Sequence, residues 1–202
     1  MKFDFSFSCT SLLLALLSFV FPFITEIDIE LYDRYLVKLL ETSQTIWLFL
    51  CALITMLYAK PWQLTRGNKV FWLWAVGWWI VLFGRSISWG RYYFPDEPRF
   101  IFRVISVFLI AGLAFPLLFS VTLRKEIAYR FRHECLSFWL TLLTISTFFI
   151  ADAVEHHSFL SGGHRLGIQE LIEELYESLF MIALFTLTVP MMKRDRRFIA
   201  VE

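Results

Sequence analysis

Gln169-Glu170-Leu171-Ile172-Glu173-Glu174-Leu175-Tyr176-Glu177 runs without a break into Ser178-Leu179-Phe180-Met181-Ile182-Ala183-Leu184-Phe185. The second half has the composition of a membrane helix, and the first half loads its start with four carboxylates. At about 100° per residue, Glu170, Glu173, Glu174 and Glu177 share an arc of roughly 100° on one face. An ionised carboxylate near mid-bilayer costs about 2.5–3.5 kcal/mol on insertion scales, and less at the interface. The stripe therefore needs partners, which the rest of the fold must supply.

The chain has 202 residues, 58% of them hydrophobic and 19% aromatic, with a mean hydropathy of +0.62. Such a composition, with apolar runs approaching twenty residues, indicates an all-α polytopic membrane bundle. Six spans are expected, at 7–24, 43–60, 70–89, 102–123, 135–155 and 172–192, forming a single transmembrane domain over 1–202. The first is read as a retained helix and not a cleaved leader, because no small-x-small site follows it and Asp4 accompanies Lys2 ahead of it. With the N-terminus cytoplasmic, twelve of the nineteen basic residues fall on the inner side, in sets around Lys2, Lys60–Lys69, Arg124–Arg132 and Lys193–Arg197. The positive-inside rule then places both termini in the cytoplasm. No Asn-x-Ser/Thr sequon is present, which favours a bacterial inner (plasma) membrane. Cys9, Cys51 and Cys135 lack metal-site spacing and are expected to be reduced core residues.

Ile29, Tyr32, Leu36 and Leu39 recur at helical spacing, with Glu30, Asp33, Arg34, Lys38 and Glu41 opposite them. This predicts a short amphipathic outer helix near 28–41, lying at the surface or extending the second span. Its acidic balance argues against contact with anionic headgroups. Gly77, Gly84 and Ser88 form a small-residue face on the third span, which lets a neighbouring helix approach closely. Pro116 is expected to kink the fourth span.

Counting at about 1.5 Å per residue from the inner basic sets, Glu177 and Arg85 lie roughly 24 Å up their helices, Asp152 about 30 Å and Arg103 about 31 Å. Against a hydrocarbon core of about 30 Å, all belong to its outer quarter or to the outer interface. Asp152 and His156 are four apart at the end of span five, with Glu155 in the same arc and His157 adjacent. The short link 158–167 makes spans five and six antiparallel neighbours. Three solutions follow. Asp152, His156, Glu170, Glu174 and Glu177 could gather a divalent metal such as Zn, Mn or Fe, as carboxylate and imidazole ligands do inside helical bundles. Arg85, Arg91 and Arg103 could neutralise the acids as ion pairs, with Glu155, His157 and Glu173 completing an ion-pair or ligand-binding cluster. A polar substrate or proton pathway is the third.

His133 stands alone on the inner side, and the remaining His residues share one hairpin, so no haem is expected. No phosphate-binding loop or nucleic-acid signature occurs. Ser86 and Asp152-x-x-x-His156 are similar, over those few positions, to part of the Ser/Asp/His zinc pattern of the membrane hydrolases that include the alkaline ceramidases. That pattern implies a zinc-dependent hydrolase, but its second His pair is absent here and the glutamate cluster is foreign to it. The expectation is a bacterial inner-membrane protein whose acidic/His/Arg site near the periplasmic face binds a cation, metal or small polar ligand. A metal-dependent hydrolase or lipid-modifying enzyme, and a non-catalytic accessory or sensory subunit with structural ion pairs, are the alternatives. The expected partners are the lipid bilayer and a second copy or another membrane subunit.

Overall fold

Ser8 stands where the first helix must begin. Its hydroxyl accepts from the Ser11 amide at 3.0 Å, and Ser11 Oγ accepts from the Ser8 amide at 3.2 Å, a reciprocal cap. Helix α1 then covers Cys9–Val20 and tightens into a 3-10 turn at Phe21–Glu26. The computed structural model describes residues 2–26, 33–90, 94, 98–160 and 166–199. Six further helices follow: α2 (Asp33–Ala59), α3 (Arg66–Ser86), α4 (Arg99–Phe119), α5 (Val121–His133), α6 (Phe138–Leu160) and α7 (Leu166–Ile199). Two three-residue strands, β1 (Lys2–Asp4) and β2 (Cys135–Ser137), pair in parallel with Lys2 opposite Cys135.

Among the described residues the chain is thus all-α apart from this short ladder. Three helical stretches are long and apolar enough to cross a membrane, Tyr35–Gln63, Arg99–Phe119 and Glu170–Arg196, and Cys9–Phe23 and Phe138–Val154 are shorter apolar helices. Helix α3, the expected third span, is not among the three. Much of its bulk is tryptophan, and Arg66, Asn68, Lys69 and Arg85 mark its ends.

Several boundaries depart from expectation. Of the two expectations for the amphipathic segment near 28–41, the structure takes the second: from Asp33 onward it extends the second span as the start of α2. Thr42 and Ser43 donate their hydroxyls to the carbonyls of Lys38 and Leu39, so these polar residues stay inside the helix instead of breaking it. Residues 27–32 lie outside the described residues. The fourth span does not run to residue 123: Pro116 falls in the last turn of α4, and the chain breaks at Ser120. There ψ is 105°, and the Ser120 hydroxyl accepts from the Leu123 amide to open α5. The depth counts for Arg103 and Asp152 assumed unbroken helices from Arg124 and Arg132, so they fail at Ser120 and at the extended residues of β2. Those for Arg85 and Glu177 run along the single helices α3 and α7.

The helices fall into two compact units, one of 45–134 and 189–202 (with residue 1) and one of 2–44 and 135–188. In the first, Leu48, Cys51, Thr55 and Ala59 line one buried face of α2. Gly77 brings α4 close to α3: a methyl group built there would meet Leu113 Cδ2 at 2.8 Å. Trp74 Nε1 donates to the Leu113 carbonyl at 3.1 Å. Gly84 serves a different neighbour from the one expected. The ring of Trp89, 2.7 Å from the position of the absent methyl, folds back over it. Ser88 has left the helix: Ser88, Trp89 and Gly90 all have positive φ (49°, 60° and 94°), and this left-handed turn swings the indole onto Gly84.

The second unit packs Leu14 and Phe21 against Leu140 and Ala151 of α6 and Tyr176, Leu179 and Ala183 of α7. Tyr176 OH donates to the Ser18 carbonyl at 2.9 Å, which satisfies the one polar atom on that ring. All three cysteines are free. Cys51 is buried as expected, whereas Cys9 and Cys135 are exposed because the apolar faces that carry them are not covered by protein.

Candidate functional site

Two polar constellations emerge, one in each unit. In the second unit the glutamate face of α7 meets α2. Gln44, 5% exposed, sends its amide nitrogen to Glu174 Oε2 at 2.7 Å, to the Glu174 carbonyl at 2.9 Å and to Ser178 Oγ at 3.1 Å. Ser178 donates its own proton to the Glu174 carbonyl at 2.8 Å. An amide has two N–H donors, so three acceptors at this range share them. Among the described residues, the carboxylates of Glu177, Glu41 and Glu173 lie within electrostatic range of Glu174. Gln44, which donates to its carboxylate among the described residues, is a neutral amide.

Glu173 and Glu177 are half-buried on α7, and Glu170 and Asp152 are exposed. Arg85 and Arg103 are exposed on α3 and α4. The backbone of α6 carries Glu155, His156 and His157, whose side chains lie outside the described residues, as does Arg91. Among the described residues, no three His, Cys, Asp or Glu side chains gather as metal ligands. Ser86 shares a hydrogen bond with Thr45 at 2.7 Å. The sequence argument weighed ionisable groups alone and so missed Gln44, although a primary amide at the start of an apolar run was the available signal.

In the first unit the constellation is built on Arg130, whose side chain is 5% exposed. Its guanidinium bonds Glu126 Oε1 at 3.1 Å, Glu134 Oε1 at 3.4 Å, Asp195 Oδ2 at 2.5 Å and Asn68 Oδ1 at 2.8 Å. It also lies 4.1 Å over the Phe71 ring and 5.5 Å over Trp72. Buried Trp72 donates its indole N–H to the same Asp195 oxygen at 2.7 Å. Arg194 reaches Glu134 from outside at 3.5 Å. Gly67 makes room for the cluster, since a methyl group there would come within 2.7 Å of Glu126 Oε2. Burial pushes the Glu134 carboxyl above its ordinary range, against the pull of Arg194 and Arg130.

This network spans α3, α5 and the end of α7, and the sequence reading counted its members only as inner-side charge. The available signal was Glu126-x-x-x-Arg130-x-x-x-Glu134, acids one helical turn on either side of a base. Asp195 inside the basic run Lys193–Arg197 was a second. His133, expected in a loop, ends α5, donates Nδ1–H to the Tyr129 carbonyl at 2.9 Å and stacks on the Tyr129 ring.

Compared with protein-family models, with curated proteins and with solved structures, the chain matches none.

Proposed function

We propose that this chain is a six-span protein of a bacterial inner membrane, both termini cytoplasmic, whose acidic face around Glu174 takes a cation: a divalent metal or a small ligand carrying positive charge. The observation that carries the reading is the Glu174 carboxylate. It sits in a membrane-length apolar helix, accepts a hydrogen bond from a neutral amide, and, among the described residues, has the carboxylates of Glu177, Glu41 and Glu173 within electrostatic range. A carboxylate so placed is stabilised by a proton or by a bound cation. The six-span scheme draws support from contacts that join segments assigned to one side. β1 pairs with β2. Arg130 ties the start of α3 and the end of α7 to α5, and Arg196 lies 4.6 Å over Tyr58 near the end of α2.

The test is binding by purified protein in detergent. Zn, Mn, Fe(II) and an alkylammonium ion are titrated singly against wild type and Glu174→Gln. At least one is expected to bind wild type and raise its unfolding temperature, with both effects lost in the variant. If none binds, the cation reading fails.

A second reading, a non-catalytic subunit whose charges are structural, is favoured by one specific feature: at Arg130 the buried carboxylates are all engaged. It predicts that none of these cations stabilises the protein.

A further inference from the structure

Helix α5 has two faces of opposite character. At about 100° per residue, Leu123 and Arg130 point one way with Glu126 and Ile127 beside them, and these four are buried or half-buried. The opposite arc carries Arg124, Lys125 and Arg132, all exposed, flanked by exposed Tyr129 and Phe131. The charges are sorted more sharply than spacing alone requires. Glu126, Glu134 and Asp195 are the carboxylates among the described residues of this unit, and all three turn inward onto Arg130. None of these described acids of the unit faces outward, so the outer face of α5 is cationic.

Its position adds a second argument. Helix α4, the most apolar of the three membrane-length helices, ends at Phe119, and only Ser120 separates it from α5. The basic face therefore starts where a membrane helix leaves the hydrocarbon, at headgroup depth. Exposed aromatic rings beside cations are the residue types that settle at that depth.

We propose that the exposed face of α5 docks on the phosphate groups of anionic phospholipids in the leaflet where α4 ends. The inference rests on the membrane reading but is independent of the site at Glu174. Resistance of the membrane-bound protein to alkaline carbonate extraction tests the membrane reading separately.

The decisive experiment uses the full chain in detergent, titrated with bicelles of phosphatidylcholine alone or with phosphatidylglycerol added. Wild type should prefer the anionic bicelles. Each removed charge is expected to cost about fivefold in apparent affinity, so Arg132→Gln loses about that much and Arg124→Gln/Lys125→Gln/Arg132→Gln more than about tenfold. Arg124→Lys/Arg132→Lys, which keeps the charge, should bind like wild type, as should Arg99→Gln at the far end of α4. Because the substituted side chains are exposed, an unchanged circular dichroism spectrum is expected throughout. Wild type without preference for phosphatidylglycerol, or a triple variant that keeps it, overturns the proposal. So does a face that ignores the lipid but captures polyglutamate, which would assign it to an acidic protein partner.

Discussion

Arg130 has five N–H donors, and the chain brings three carboxylates and an amide oxygen to them. Lysine, a point charge with rotating donors, cannot reproduce that fork. Removing one partner of a buried ionic cluster costs about 3–5 kcal/mol because the others are left uncompensated. Arg130→Met should lose stability of about that size in denaturant unfolding of the detergent-solubilised protein, and Arg130→Lys should fall between it and wild type. Glu134 gives a pH signature. Its folded carboxyl titrates above the ordinary value of 4.5 because burial outweighs Arg194 and Arg130. The protonated form is thus favoured in the folded state, so its stabilising contribution is full below the ordinary range and is lost as pH rises through the raised folded value. Glu134→Gln should flatten the fall in unfolding temperature across that window, and a variant whose profile parallels wild type would contradict this. None of this was legible beforehand, because charge counts treat Arg130 and Glu134 as surface, and only their i, i+4 spacing hinted otherwise.

At the scale of elements, the helices of 43–60 and 172–192 were readable because apolar runs of that length have few other solutions. The breaks were not. Ser120 ends one helix and caps the next through a single hydroxyl, and nothing in the hydropathy around it marks the change. Ser120→Ala should therefore destabilise the protein by about 1 kcal/mol, with the loss of helix concentrated in α5 by hydrogen exchange. The glycine face of α3 was read correctly at Gly77, which admits Leu113 of α4. It was misread at Gly84, because a sequence cannot reveal that a left-handed turn returns Trp89 to the same spot. Gly84→Ala forces that ring aside, and overpacking of this kind costs about 1–3 kcal/mol. A shift in the indole fluorescence should accompany the loss.

For the whole molecule, the glutamate face of α7 was legible in the sequence but the Gln44 contact to Glu174 was not, since hydrogen-bond partners 130 residues apart leave no local trace. The arrangement of segments by side is open to a direct check. The proposed topology, with both termini cytoplasmic, puts Cys135, which is exposed, on the inner side. A membrane-impermeant maleimide should label it in inverted vesicles and leave it unlabelled in intact spheroplasts; labelling in spheroplasts would reverse the topology.

The pairing of Lys2–Asp4 with Cys135–Ser137 also bears on how the protein is made. One compact unit draws on 2–44 and 135–188, with ninety residues of the other inserted between. At about 5–20 residues per second of synthesis, the first strand waits roughly 7–26 s for its mate. Throughout that interval Leu14 and Phe21 lack the surfaces of α6 and α7 that will cover them. On the proposed membrane reading, the nascent chain carries an unfinished half into the bilayer, where lipid, an insertase or a chaperone shelters it until the ribosome delivers the rest.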